Sequence, residues 1–296
     1  MTIGIITSSD QFLSLAYTLA NNNLQVCIYY AQGQDAYVNQ KVQALAARFQ
    51  LVCGQQQEDV YNWLEQVKPG IVFVYGYPFL LDVAKFSIPV FNIHAGALPA
   101  FRGPVPVFWQ LKMGMPQLCL SIHVLSSRFD AGTVVWTKQI ADQPHYTYAL
   151  VHQIFSQLVV EGVYYILNAV LSGKSLDPVP AQGKGAYQKR PQAKDVQIDW
   201  SRMPAKEICN LIRACNPWNK GAAANMNNQQ IKIMDGLVTG QTTTLPPGSV
   251  VNEGTQLWIA AADGQFVQVN MLLLEDMFIP AYQAAYYGIK KGLILQ

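Results

Sequence analysis

IPVFNIHAGALPAFRGPVPVFWQLKMGMPQLCLSIHVLSSRFDAGTVV, residues 88–133 with the two valines that follow, decides how the chain is read. A short apolar run, Ile88–Phe91, leads into Asn92 and His94. Residues two apart on a strand share a face, so these two polar side chains point the same way from the end of a strand. A loop rich in glycine and proline follows (Gly96, Pro99, Gly103, Pro104, Pro106). Then comes a second apolar run, Leu118–Leu125, and after it Ser126, Ser127, Arg128, Phe129 and Asp130. An Asn, a His and an Asp at strand ends beside glycine loops can form a proton-handling site. In open α/β sheets, ligands bind at the carboxyl ends of strands. A histidine after an apolar run also serves as a satisfied core residue, and these residues by themselves leave both readings open.

Working outward toward the amino terminus, strands and helices alternate at short intervals. Residues 3–7 form an apolar run, and Ser8-Ser9-Asp10 offers N-cap chemistry for a helix over 10–22. Leu24–Tyr30 reads as a strand, 34–49 as a helix, Leu51–Val52 as a brief strand and Glu58–Lys68 as a helix ending at Pro69-Gly70. Ile71–Tyr75 is almost wholly apolar, as a strand covered on both faces should be. This alternation predicts a doubly wound, mostly parallel sheet of Rossmann-like α/β class. The first turn lacks a GxGxxG, so no nicotinamide or flavin dinucleotide is expected.

Toward the carboxyl terminus, Tyr146–Leu171 carries a helical pattern, with Leu150, Ile154, Leu158, Val163, Ile166 and Val170 on its apolar stripe. His152 on this helix reads as a packing or surface residue. Residues 176–194 are rich in Pro, Gly and Lys, the character of a linker. Their cations either meet an anionic acceptor or are simply solvated. Beyond, Asp199 or Ser201 can cap a helix through Cys215. Short runs at Gln230–Ile233, Gly248–Val251, Leu257–Ala260 and Phe266–Val269 predict a small, OB-like β-barrel. The expected division is a first domain over 1–183 and a second over 184–296.

The composition fits that plan. Of 296 residues 51% are apolar and 13% charged, and the net charge of +2 lacks the basic excess of a dedicated nucleic-acid binder. The cysteines at 27, 53, 119, 209 and 215 show no CxxC or Cys/His metal spacing, which reads as free thiols in a reducing compartment. The chain opens on a core strand and not a charged, then apolar leader. The apolar stretch Ile71–Leu81 is too short to cross a bilayer. A cytoplasmic protein is expected.

Phe91-Asn92-Ile93-His94, then Leu98-Pro99, Arg102-Gly103, Trp109 and Phe129-Asp130-Ala131-Gly132, resembles the signature of the formyltransferases that use 10-formyltetrahydrofolate. Ile198-Asp199-Trp200-Ser201 followed by Ile212-Arg213-Ala214-Cys215-Asn216-Pro217-Trp218 is similar to the opening of the carboxy-terminal domain of methionyl-tRNA formyltransferase and its relatives. Residues 287–292 fit that domain's end. The resemblance is strong over 88–133 and 187–221 and looser elsewhere.

The resemblance implies that Asn92, His94 and Asp130 are the catalytic trio. It also implies that the segment leaving Tyr75 holds the pterin, with Phe79, Leu80 and Leu81 beside it. Arg102, Gly103, Ser127 and Phe129 are implied as further folate contacts. Read without the resemblance, 75–81 is an ordinary hydrophobic loop opening a helix. No metal is implied, and the sequence offers no convincing ligand cluster.

The reaction so implied is formyl transfer from 10-formyltetrahydrofolate to a primary amine. Asn92 would face the oxyanion, His94 would take the amine proton, and Asp130 would orient His94. Three departures from the family pattern stand out. Gly96 occupies a position where many members have Ser, and Asn219-Lys220-Gly221 follows Pro217-Trp218 where a second Pro is common. Residues 31–50 hold only Lys41 and Arg48 as cations, whereas tRNA-acting members carry a basic insertion there. Phosphate contacts dominate nucleic-acid affinity, so the expected acceptor is a small molecule: a nucleotide-linked amino sugar or a secondary-metabolite amine. Methionyl-tRNA formylation, formyl-folate hydrolysis and non-catalytic folate binding are the alternatives. A homodimer is compatible with all of these, and no membrane partner is expected.

Overall fold

Runs of buried aliphatic residues build the first sheet. A computed structural model describes every residue except Gln34, Ala46, Ala47, Gln182 and Asn228. Strands β1 (Thr2–Thr7), β2 (Gln25–Ala31), β3 (Gln50–Gly54), β4 (Ile71–Tyr75) and β5 (Val90–His94) pair in parallel, β1 lying between β2 and β4. β6 (Gln117–Val124) runs antiparallel to β5, and β7 (Val134–Ala141) completes a seven-stranded sheet of order β3-β2-β1-β4-β5-β6-β7. Growth of the sheet reverses between β1 and β4, the switch point of a doubly wound fold. Every residue of β4 is buried, as expected for a strand with both faces covered.

Two of the helices that flank this sheet start at a side-chain cap. α2 (Ala36–Gln43) is shorter than the expected 34–49. Asp35 caps it by accepting from the backbone N–H groups of Tyr37 and Val38, and Gln34, Ala46 and Ala47 lie outside the described residues. α3 (Gln57–Val67) begins with a capping box between Gln56 and Asp59. α1 (Leu13–Asn21) corrects the sequence reading, because it starts without any side-chain cap. The polar residues expected to cap it are spent in the loop: Asp10 pairs with Lys41 at 2.6 Å, and Ser8 donates to the Gly76 carbonyl.

α4 (Pro106–Lys112) and the 24-residue α5 (Tyr148–Leu171) follow. By length and composition α5 could cross a membrane, unlike the 71–81 run. Its Phe155, Val159, Val163 and Ile166 are nevertheless fully buried. A Cβ on Gly162 would lie 2.6 Å from the Trp136 ring of β7 and 2.7 Å from Ile122 of β6, so this helix packs directly on the sheet.

The segment expected to be a solvated linker is partly built into the first sheet's surroundings. Ala186 donates to the Pro99 carbonyl, and Gln188 donates to that of Arg102. Gln182, within the same stretch, lies outside the described residues. The chain divides into two compact units. One comprises Met1–Pro106, Cys119–Ile140 and His152–Gln188; the other comprises Val107–Leu118, Ala141–Val151 and Lys189–Gln296. Buried Arg213 explains why residues 141–151 belong with the second unit. It grips Asp142 through two 3.0 Å bonds and donates to the carbonyls of Gln143 and Tyr146.

Within that second unit, α6 (Ala193–Val196) precedes α7 (Ala205–Cys215). α7 has no side-chain cap. Asp199, an expected cap, is taken up by Ser201, and the first helical N–H, on Ala205, is met by Asp263. A six-stranded antiparallel sheet carries the rest, in the order β10-β11-β12-β9-β8 with β13 on β12. Its strands are β8 (Ala222–Met226), β9 (Gln229–Thr242), β10 (Val250–Glu253), β11 (Gln256–Ala260), β12 (Gln265–Leu274) and β13 (Met277–Pro280). β9 runs far beyond the expected 230–233 and takes in Asp235, Gly236 and Gly240. Register shifts against β12 absorb them.

Candidate active site

The site grows from the pairing of β5 with β6. Their antiparallel register sets Asn92 opposite His123 and His94 opposite Ser121. Directly opposed residues of an antiparallel pair share a face, so four polar side chains gather on one side of two otherwise apolar strands. Ser121 is fully buried and donates to the Gly96 carbonyl at 2.7 Å, which fixes the first turn of the loop beyond β5.

Asp130 enters from the loop after β6 in a left-handed conformation, φ 51°, which Asp tolerates better than most residues. One of its oxygens, Oδ1, receives Asn92 Nδ2 at 3.3 Å and faces His94 Nδ1 at 3.3 Å and His123 Nε2 at 3.7 Å. The other, Oδ2, accepts the Gly103 N–H at 2.8 Å. Burial by itself would raise the Asp130 pKa. The neighbouring His94 and the Gly103 N–H outweigh it and hold the carboxyl below its ordinary value.

His94 is 6% exposed, and burial is the main cause that lowers its pKa, offset in part by Asp130 and by the Phe101 carbonyl. Its Nε2 lies 2.6 Å from the Phe101 carbonyl oxygen. A carbonyl can only accept, so Nε2 carries the proton. Nδ1, facing Asp130, is then the position that takes up or releases one. Gly96 makes this ring position possible. A Cβ there would stand 2.7 Å from His94 Nε2 and 2.9 Å from the Phe101 carbonyl oxygen.

Arg102 braces the loop that carries Asp130. Its Nε and Nη2 donate to the Phe129 carbonyl at 3.1 and 2.8 Å. Gly103 has φ 114° and its backbone passes so close to Gln188 that a Cβ would lie 2.0 Å from that carbonyl oxygen. Only glycine fits where the N–H must reach Asp130.

The structure therefore brings together Asn92, His94, Asp130, Arg102 and Gly103. Of the other expected folate contacts, Phe79 (48% exposed) and Phe129 (39%) present uncovered rings, and Leu80 and Ser127 are also exposed. Leu81 is 1% exposed and packed in a core cluster with Val60, Val72 and Val74, which leaves only its backbone for a ligand. The residue that sequence reasoning missed is His123. Its signal was present: Ser121 and His123 interrupt the apolar run of β6 two apart, as Asn92 and His94 do on β5.

The doubly wound sheet thus gathers an amide and an imidazole of β5 around one carboxylate from the loop after β6. Residues 3–164 match the family described as formyl transferase and residues 191–277 the formyl transferase C-terminal domain. The chain belongs to the formyl transferase family. It is 25% identical over 217 residues to a methionyl-tRNA formyltransferase of Nitrosomonas eutropha, covering 72% of this chain and 68% of that one. Solved structures that share its fold include the following two. HypX from Aquifex aeolicus, in complex with tetrahydrofolic acid, has a TM-score of 0.71 at 15% identity over 98% of this chain. This chain spans about half of HypX, 48% of its length. An N-formyltransferase from Helicobacter canadensis, in complex with folinic acid and dTDP-3-aminofucose, has a TM-score of 0.70 at 17% identity, covering 90% of this chain and 98% of that one.

Proposed function

We propose that the chain transfers a formyl group from 10-formyltetrahydrofolate to the primary amine of a small molecule, with a nucleotide-linked amino sugar as the leading acceptor class. The observation that carries this reading is the convergence of Asn92 Nδ2 and His94 Nδ1 on a single carboxylate oxygen, Asp130 Oδ1, each at 3.3 Å. The folate supplies the formyl group. The uncovered rings of Phe79 and Phe129 suit the flat face of a pterin, and both follow strands of the sheet.

Three demands fall on the chain's own residues. The amine must lose a proton, the formyl oxygen gains negative charge as the amine adds, and the departing nitrogen must gain a proton. His94, kept neutral by burial, accepts the amine's proton at Nδ1, the Asp130 carboxylate beside it stabilises the cation so formed, and that same proton is returned to the departing folate nitrogen. A positioned acid–base group of this kind contributes roughly 10²–10⁴ in rate. The Asn92 amide donates to the formyl oxygen. Both of its hydrogens are engaged, at 3.0 Å with His123 and 3.3 Å with Asp130, and the longer contact is the one an incoming oxygen replaces.

The acceptor class rests on residues 31–50. Lys41 is paired with Asp10 at 2.6 Å, and Arg48 donates to Asn21 while its guanidinium lies 4.5 Å from the centre of the Tyr17 ring. Neither cation is held ready for an acceptor-stem phosphate. Methionyl-tRNA is the second reading, favoured by the family of the sequence relative. The buried free thiols at Cys27, Cys209 and Cys215 accord with a cytoplasmic location, which belongs to the same proposal.

Tetrahydrofolate release is the test, run at neutral pH with 10-formyltetrahydrofolate and separate pools of nucleotide-linked amino sugars and methionyl-tRNA. Turnover confined to the amino-sugar pool is expected. Turnover on tRNA alone would move the assignment to the second reading, and release without any acceptor would mark a hydrolase.

A further inference from the structure

The proposed chemistry needs the Asn92 amide to point its nitrogen at the reacting centre, and a primary amide can be rotated to present its oxygen instead. We infer that His123 is a positioning residue that fixes the orientation of the Asn92 amide through the tautomer it adopts; this rests on the formyl-transfer reading given above. His123 is 2% exposed on β6, directly across the ladder from Asn92. Its Nδ1 lies 2.8 Å from the Val124 carbonyl oxygen. That oxygen can only accept, so Nδ1 carries the hydrogen. A neutral imidazole has one such hydrogen, which leaves Nε2 as a bare acceptor. Nε2 faces Asn92 Nδ2 at 3.0 Å.

Two acceptors, His123 Nε2 and Asp130 Oδ1, thus read the same amide nitrogen. Rotating the amide would set its oxygen against a lone pair on one side and a carboxylate on the other. When a substrate oxygen takes the hydrogen now shared with Asp130, His123 remains as the partner that keeps the nitrogen turned inward. Without it, the amide is free to offer its oxygen to a developing negative charge, which repels it. The surrounding backbone is shaped to protect this arrangement. A Cβ on Gly132 would stand 1.7 Å from the Val124 carbonyl oxygen and 2.9 Å from His123 Nδ1. The loop carrying Asp130 therefore closes directly over the bond that sets the tautomer.

The test pairs His123→Leu, which removes the acceptor, with His123→Gln, whose side-chain oxygen can restore it. Loss of an oriented oxyanion donor costs about 10²–10³ in kcat, so His123→Leu should lose about a hundredfold in kcat with the KM for 10-formyltetrahydrofolate little changed. His123→Gln should recover at least about tenfold of that loss, because the acceptor and not the ring is what matters. Equal kcat for wild type and His123→Leu, or no rescue by Gln in a variant that folds, would overturn the assignment. A second readout needs neither turnover nor a mutant. The ¹⁵N shifts of the His123 ring in the wild-type protein should report hydrogen on Nδ1 and a bare Nε2; the opposite tautomer sinks the inference outright. If Asn92→Ala also leaves turnover intact while the tautomer is as expected, the fault lies in the role given to Asn92 and not in what His123 holds.

Discussion

Replacing Asp130 by Asn keeps the shape of the site and removes its charge. In the native site Oδ1 serves Asn92 Nδ2 and faces His94 Nδ1, while Oδ2 accepts the Gly103 N–H at 2.8 Å. An amide has one acceptor end. If its NH₂ turns toward Gly103, two donors face each other there. If it turns toward the strands, it can donate to His94 Nδ1 but opposes the Asn92 NH₂. Either way one buried donor loses its partner, at about 1–3 kcal/mol of stability. Catalysis loses more, because no anion remains to stabilise His94 once it takes a proton. A loss of roughly 10²–10⁴ in kcat, about 3–5 kcal/mol in the barrier, is expected. Affinity for 10-formyltetrahydrofolate, measured separately by fluorescence or calorimetry, should change little. The pH profile supplies an independent sign. Asp130 raises the His94 pKa against the lowering effect of burial, so its removal should shift the acid limb of kcat/KM to lower pH. A kcat within threefold of wild type, in a variant that binds the donor normally, would refute the placing of Asp130 at the centre of the chemistry.

Other outcomes follow from the same geometry. Gly96→Ala should push the His94 ring off the Phe101 carbonyl, since the new Cβ would stand 2.7 Å from Nε2; a fall in kcat of at least about tenfold with normal folding is expected, and an unchanged rate would show that this ring position is dispensable. Gly132→Ala meets backbone at 1.7 Å and should cost about 1–3 kcal/mol or more in urea unfolding, so an unaltered midpoint would contradict the described loop. Acid should destabilise the protein in two stages. His94 is held neutral with its pKa below the ordinary value of about 6.5, so its contribution is present above that pH and declines as the unfolded chain gains a proton first. Asp130, also lowered, contributes above about pH 3.9 and loses that contribution as pH falls through its folded value. Denaturation midpoints at pH 7.5, 6 and 5 for wild type and His94→Gln test the first stage, and the variant should lack it. Lys41→Ala breaks an exposed pair worth about 0.2–1 kcal/mol and should leave formylation of a small acceptor unchanged; a large loss specific to tRNA would favour the second reading.

For the expected site, the sequence reading captured the geometry set within a single strand. Asn92 and His94 are two apart on one strand, so period-two geometry alone turns them to the same face. Its errors lie where one segment answers to another. Ser8 and Asp10 have the composition of a helix cap, yet Gly76 and Lys41 claim them first. Leu81, expected beside the pterin, has its side chain in the core, so only its backbone is open to that role.

By itself, the sequence determined the alternation of strands and helices, the Asn-x-His and Asp-x-Gly motifs and the glycines of the loops between them. These depend on local backbone geometry and on which residue types can carry charge or turn tightly. Only the tertiary structure decided that β6 runs antiparallel to β5 in the register that sets His123 against Asn92, and that one oxygen of Asp130 is where the amide and the imidazole meet. Register is a relation between strands far apart in the chain. A slip of one residue would turn His123 to the opposite face, and nothing within either strand's own sequence forbids that slip.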